Sequence, residues 1–214
     1  MTIYNEQLSQ YITNLFAKED PALQRSKEES RNYGLPGINI QPEEGRFLQI
    51  LASICGAKKA VEIGTLGGYS GIWIARGLRP GGKLYTVERE AKHAEIAQAQ
   101  FAAAGLHEKI EVKVGDAHDL LPGLREFGPY DLVFIDAEKS GYPMYFSWAV
   151  ENIRIGGIIA AHNAFQGGKV AAPGESDPQT TQMRNFNQLA ADDHRLLSTI
   201  YPAGDGTLVA VKLA

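Results

Sequence analysis

Cysteine is nearly absent from this chain of 214 residues: Cys55 is the only one. No internal disulfide can form. Cys55 ends the apolar run Leu51-Ala-Ser-Ile-Cys55 with no base beside it in sequence, so a packing role is expected rather than a catalytic thiol. An excess of one charge is missing too. Lys and Arg number 21 against 25 Asp and Glu, a formal net charge of -4, and the cations are scattered among carboxylates. That excludes the basic stripe with which proteins grip duplex nucleic acid. No hydrophobic run approaches the ~18 residues of a membrane span. The opening segment Met1-Thr-Ile-Tyr-Asn-Glu6 has no cationic stretch followed by an apolar one. The expectation is a soluble cytoplasmic protein with neither nucleic acid nor membrane as partner.

What is present, 44% hydrophobic and 21% charged residues, suits a single domain over residues 1–214 with a real core. The first forty residues read as helical and polar. Leu8, Ile12, Leu15 and Phe16 fall at helical spacing, and a second helix is predicted around Ala22 to Arg31; both would cap a core or a neighbour. Gly34, Pro36 and Gly37 interrupt. Gln41-Pro42-Glu43-Glu44 then starts a helix, with proline early and acids in the first turn, and Phe47, Leu48, Leu51 and Ile54 on its core side.

From Ala60 the pattern becomes strand, turn, helix, repeated, the signature of a parallel sheet with helices on both faces. Strands are predicted at Ala60–Ile63, Lys83–Val87, Ile110–Val114, Asp131–Ile135 and Gly157–Ala161. Helices are predicted near Ser70–Arg76, Ala91–Ala104, Asp119–Phe127, Tyr142–Asn152 and Gln182–Ala191. Leu196–Tyr201 and Leu208–Lys212, joined through Pro202-Ala-Gly-Asp-Gly206, read as an antiparallel hairpin at the sheet edge.

Open α/β sheets bind ligands beyond the carboxyl ends of their strands. The first strand delivers Glu62 and the glycine turn Gly64-Thr-Leu-Gly67-Gly68, which lets backbone approach a ligand closely, and the amides of the helix start that follows could hold an anionic group. The second delivers Glu88, where a carboxylate grips ribose hydroxyls. The third delivers Gly115-Asp116-Ala117, the fourth Asp136 to Lys139, and the fifth His162-Asn163. Polar residues at five successive strand ends describe one pocket, with a nucleoside at one side and a carboxylate, imidazole, amide and ammonium at the other. An acid inside an apolar strand, as Glu62 is, needs partners or a ligand to offset desolvation.

The segments Gln41-Pro-Glu-Glu-Gly-Arg-Phe-Leu48, Glu62-Ile-Gly-Thr-Leu-Gly-Gly-Tyr-Ser70, Val133-Phe-Ile-Asp-Ala-Glu-Lys-Ser-Gly-Tyr142, Asn185-Phe186 and Gly204-Asp-Gly206 carry a resemblance over nearly the whole chain. It resembles the cation-dependent O-methyltransferases that use S-adenosylmethionine and include catechol and caffeoyl-CoA O-methyltransferases. The resemblance implies a Rossmann-like class I methyltransferase fold with a seven-stranded, mostly parallel sheet. It also implies a homodimer, with the helices of residues 1–40 at the interface or over the substrate. Glu62, Gly64, Thr65 and Ser70 would surround the methionine part of S-adenosylmethionine, with the Ile40 backbone closing over its carboxylate. Glu88 would take the ribose, and Asp116 with Ala117 would lie beside the adenine. Asp136, which also faces the cofactor, would bind a divalent cation together with His162 and Asn163, and Lys139 would be the general base. The implied reaction is methyl transfer to a hydroxyl of a catechol-like, ortho-dihydroxyphenyl small molecule.

Chemistry supports those residue types. A neutral phenol is a weak nucleophile, a dication favours and orients the phenolate, and a lysine near positive charge can accept a proton. At one position the chain departs from the pattern: Ala160-Ala-His162-Asn163 puts an imidazole where the resemblance calls for Asp. Magnesium prefers oxygen ligands, whereas imidazole suits manganese, iron, cobalt, nickel or zinc. Three readings stay open: an altered metal preference, a weakened magnesium site with His162 as bystander, or a metal-free site with His162 as base.

Blander readings stand beside these. Asp116 or Asp119 could simply cap a helix, and Lys139 alone could be a solvated loop residue. His93, His107, His118 and His194 are expected at the surface, Trp73 and Trp148 in the core, and Phe165 and Gln166 beside the acceptor, which Tyr142 could also approach. Two rival functions remain: a nicotinamide-dependent oxidoreductase, which also needs Glu88 but whose dinucleotide glycine spacing is missing, and a non-catalytic protein that binds S-adenosylmethionine.

Overall fold

The computed structural model describes residues 4–214; residues 1–3, the start of the segment read above for a targeting signal, lie outside the described residues. Three helices come first: α1 (Glu6–Phe16), α2 (Pro21–Asn32) and α3 (Pro42–Ile54). Strands and helices then alternate as β1 (Lys59–Ile63), α4 (Tyr69–Gly77), β2 (Lys83–Glu88), α5 (Ala91–Ala103), β3 (Ile110–Val114), α6 (Ala117–Leu124), β4 (Tyr130–Ile135), α7 (Tyr142–Asn152) and β5 (Ile153–Ala161). The chain closes with α8 (Pro178–Asp192), β6 (Leu196–Tyr201) and β7 (Thr207–Lys212).

One seven-stranded sheet runs in the order β3-β2-β1-β4-β5-β7-β6. The five strands joined by helices are parallel, because a helical crossover returns the chain to the same end of the sheet. The tight β6–β7 turn folds a hairpin instead, and β7 inserts antiparallel between β5 and the edge strand β6. Side chains alternate between two buried faces. On β4, Val133 and Ile135 enter the core under α6, α7 and α8, while Leu132 and Phe134 enter the core under α3, α4 and α5. On β1 the same alternation sends Val61 and Ile63 to the first core and Glu62 to the side of α4.

The N-terminal elements depart in part from their predicted faces. Leu15 and Phe16 of α1 and Ile54 of α3 are more than half exposed, whereas Leu48 and Leu51 are buried as expected. Polar contacts seat α1: Tyr4 Oη donates to Glu43 Oε1 at 2.8 Å, Thr13 Oγ1 to Oε2 at 3.0 Å, and Ser9 Oγ also bonds this carboxylate. Cys55 is half-buried beside the core at the end of α3, and burial pushes its thiol up to about 11, the inert packing role expected. Trp73 and Trp148 are core residues. No described helix is long and apolar enough to cross a membrane.

Gly45 lets α3 lie close on α4, since a Cβ there would stand 2.3 Å from the Trp73 ring. Gly45→Ala is therefore expected to destabilise the protein by about 1–3 kcal/mol through overpacking, opposite in sign to the gain of up to about 1 kcal/mol at an exposed helical glycine. Urea unfolding midpoints decide between the two signs.

Candidate active site

The strand order reverses between β1 and β4, so the loops that follow these strands part at the switch point. Between them lies a cavity of about 510 Å3, walled by Ile38–Ile40 ahead of α3, Gly64–Leu66, Tyr69 and Ser70, Glu88–Glu90 and His93, Asp136–Lys139, Asn163 and Gln179. Gly64 (φ +96°) makes the loop crossing feasible, because a Cβ there would fall 2.1 Å from the Asp136 carbonyl oxygen.

At one end Glu88 is almost fully buried. Its Oε2 accepts from the amides of Thr65 at 3.1 Å and Leu66 at 2.8 Å, and its Oε1 from the Glu90 amide at 2.9 Å. The Thr65 and Leu66 amides of the glycine turn are thus occupied by Glu88. This also steadies Leu66, whose φ of +50° is unusual for a residue with a side chain. His93, expected at the surface, lines the cavity with Nδ1 3.6 Å from Glu88. It is a site residue that the sequence reading missed; the signal was its position one helical turn into α5, the helix that follows Glu88.

Glu62 stands behind the cavity wall. Ser70 Oγ donates to its Oε1 at 2.5 Å and Thr86 Oγ1 to its Oε2 at 2.7 Å, and Thr65 and Thr86 share a hydroxyl contact. Glu62 therefore acts on the cavity through Ser70 and Thr65, which do line it. Asp116 and Ala117 are not part of the wall either. Asp116 caps α6, accepting from the His118 amide at 2.8 Å, because an acid at a helix start finds unpaired amides there. His118 is exposed, as expected, against Tyr145. Phe165 and Gln166 also stand outside the wall, with Phe165 packed where any Cβ on Gly206 would be.

The far end of the cavity gathers the other residues picked out in the sequence. Lys139 Nζ donates to Asn163 Oδ1 and to Tyr142 Oη, both at 2.7 Å, and lies 3.7 Å from Asp136 Oδ1. Tyr142 Oη passes the chain on to the His162 carbonyl at 3.0 Å. Asn163 Nδ2 donates to Asp205 Oδ2 at 3.0 Å, which ties the β6–β7 turn to the end of β5. Burial pulls the Lys139 ammonium below its usual range, with Asp136 acting against the shift. Burial opposes charge on Asp136, but the His162 ring and Lys139 outweigh it and hold its carboxyl below the usual range.

His162 is buried between two acids. Its Nε2 lies 3.0 Å from Glu44 Oε1, and its Nδ1 lies 3.3 Å from Asp136 Oδ2, off the angle of a hydrogen bond. Burial works against its charge, yet the two carboxylates push its pKa up to about 10. Asp136, His162 and Asn163 do come together, as the resemblance implies. They do not fit a divalent cation as three free donors: each imidazole nitrogen faces a carboxylate, and Lys139 holds the Asn163 oxygen. Among the described residues no group of three or more His, Cys, Asp or Glu is arranged to hold a metal ion.

Glu62 generates a pH test. Burial pushes its carboxyl up from 4.5 to about 7, and the Ser70 and Thr86 hydroxyls offset only part of that; Asp136 and Glu88 add to it. Between those values the folded chain keeps a proton that the unfolded chain has lost, so stability falls as pH rises through the window and levels off above it. The ligand-free protein is expected to lose up to about 3 kcal/mol across the window, and Glu62→Gln to remove that slope. Urea unfolding at a series of pH values reads both, and an unchanged slope in Glu62→Gln contradicts the assignment.

The profile of the O-methyltransferase family matches residues 13–213. A relative from Niastella koreensis named catechol O-methyltransferase is 40% identical over 197 residues, covering 91% of this chain and 89% of that protein. The solved O-methyltransferase from Bacillus cereus, in complex with SAH, superimposes with a TM-score of 0.90 at 36% identity, over 96% of this chain and 97% of that one. The O-methyltransferase TomG from Streptomyces achromogenes, involved in tomaymycin synthesis and solved in complex with SAM, gives 0.87 at 35% identity, over 97% and 96%. By sequence and by fold, the chain belongs to the O-methyltransferase family.

Proposed function

We propose that this enzyme transfers a methyl group from S-adenosylmethionine to a hydroxyl of a catechol-like small molecule. The observation that carries the reading is one cavity with the buried carboxylate Glu88 at one end and Lys139, Asp136 and Asn163 at the other. Its volume suits a nucleoside with a small acceptor beside it. When bound, S-adenosylmethionine supplies a methyl group on a positively charged sulfur. Glu88 serves the ribose, and Thr65, Ser70 and the Ile40 backbone serve the amino-acid part. Asp136 keeps its negative charge at the end where the positive sulfur belongs, which favours that orientation.

Among the described residues that line the cavity Lys139 is the one amine, with 14% of its side chain exposed, and three acceptors fix its direction. Burial favours its neutral form, which would give up one of these contacts, accept a hydrogen bond from the acceptor hydroxyl through its lone pair, hold it in line with the methyl carbon and take its proton to become the ammonium. No step is assigned to a divalent cation: Lys139 holds the Asn163 oxygen, and the His162 ring and the Asp136 carboxylate face each other at 3.3 Å. The family sets aside a nicotinamide-dependent oxidoreductase. The catechol acceptor draws support from the name of the Niastella koreensis relative. The proposal extends to a homodimer, supported by Tyr11, Leu15, Phe16, Ile50 and Ile54, which α1 and α3 leave exposed.

Labelled methyl transfer from S-adenosylmethionine to an ortho-dihydroxyphenyl acid tests the reading. Turnover is expected; cofactor binding without turnover across a panel of phenols would favour the non-catalytic alternative. Lys139→Met is expected to lower kcat by about 100-fold or more, with S-adenosylhomocysteine affinity unchanged by calorimetry. A Lys139→Met enzyme with wild-type kcat contradicts the assignment.

A further inference from the structure

Glu44 has no part in the mechanism above, yet the structure is built around it. It is 2% exposed and spends its two oxygens on different elements. Oε2 accepts from the Gln41 amide at 2.8 Å and so caps α3, while Oε1 faces His162 Nε2 at the end of β5. The β6–β7 turn makes room for it, since a Cβ on Gly204 would fall 2.3 Å from the Glu44 carboxyl. From the other side of the ring, His162 Nδ1, which makes no hydrogen bond, faces Asp136 Oδ2 as an ion-pair contact at 3.3 Å, and Asp136 Oδ1 faces Lys139 in the same way at 3.7 Å. A line of buried polar contacts thus runs from the first turn of α3 through His162 to the two residues at the reacting end of the cavity.

We propose that Glu44 and His162 form a buried strut that positions Asp136, and through it Lys139, in place of a divalent cation. A cation fixes its ligands by drawing their lone pairs to one point. Here the imidazole, flanked by a carboxylate at each nitrogen, fixes the Asp136 carboxylate from one side, and Glu44 fixes the ring. Glu44 and His162 are positioning residues: neither lines the cavity. The inference rests on the methyl-transfer reading, but its first test needs no acceptor.

In that test, chelator-treated wild-type protein is titrated calorimetrically with Mn2+ and with Mg2+. No stoichiometric uptake is expected at millimolar ion, and one equivalent bound with micromolar affinity overturns the proposal, whatever the acceptor is. The second test is Glu44→Gln, which retains an oxygen for the Gln41 amide but removes the carboxylate from His162. Its kcat for the methyl acceptor is expected to fall at least 10-fold, with KM and the S-adenosylhomocysteine dissociation constant within twofold of wild type. A wild-type kcat, or a loss confined to KM, overturns the strut. Should Glu44→Gln fail to fold, His162→Gln breaks the same line from the ring and carries the same expectations. Absence of turnover in the wild type would count against the methyl-transfer reading and leave the metal titration to decide on the strut.

Discussion

Four carboxylates, Glu43, Glu44, Glu62 and Glu88, are withdrawn from water at the end of the sheet where the cavity opens, and each needs donors to offset the cost of burial. The donors they find lie on other elements, so each acid becomes a fastening. Glu43 takes hydroxyls from Tyr4, Ser9 and Thr13 and seats α1 on α3. Glu44 joins the start of α3 to the end of β5, and Glu62 joins β1 to α4 and β2. Glu88 joins the end of β2 to the glycine turn after β1. The apolar cores on the two faces stack the layers, but these acids set where the strand-end loops stand relative to one another. A satisfied buried acid is costly to disturb, because removing one donor leaves the carboxylate unpaired. The cavity is therefore pre-shaped around Glu88 and Asp136 rather than assembled by a ligand.

Glu62 and a fifth acid, Asp136, meet opposite surroundings. Glu62 has only hydroxyl partners, and its charge is disfavoured by burial; Asp136 faces an imidazole and an ammonium, and its charge is favoured. Two carboxyls near each other at the strand ends are thus tuned in opposite directions. The charged one lines the cavity and the other stands behind it, supporting Thr65 and Ser70. This division fits a site that must receive a positively charged sulfur at one point without gathering surplus negative charge around it.

Much of this was legible before any coordinates, and the gaps have physical causes. Apolar runs ending in polar residues placed every strand and the cavity beyond them, because a sheet covered on both faces leaves few other arrangements. Glu62 stood out as an acid in an apolar strand and is indeed buried, but alternation alone does not say whether a carboxylate reaches the cavity or the back of its wall. Asp116 could be read as cap or ligand, and the geometry shows a cap. Glu44 looked like an ordinary acid in a first helical turn, since its partner His162 lies 118 residues away and nothing local announces the pair. His93 was read as a surface residue because its neighbours are polar, yet α5 starts at the cavity rim. Leu15, Phe16 and Ile54 have helical apolar spacing, which states that a face wants cover but not what covers it.

The most direct test is a crystal structure of the protein soaked with S-adenosylhomocysteine. The account predicts that the ribose meets Glu88 and that the sulfur points to the end of the cavity where Asp136 and Lys139 stand. A nucleoside seated elsewhere, or a sulfur directed away from Lys139, would contradict it.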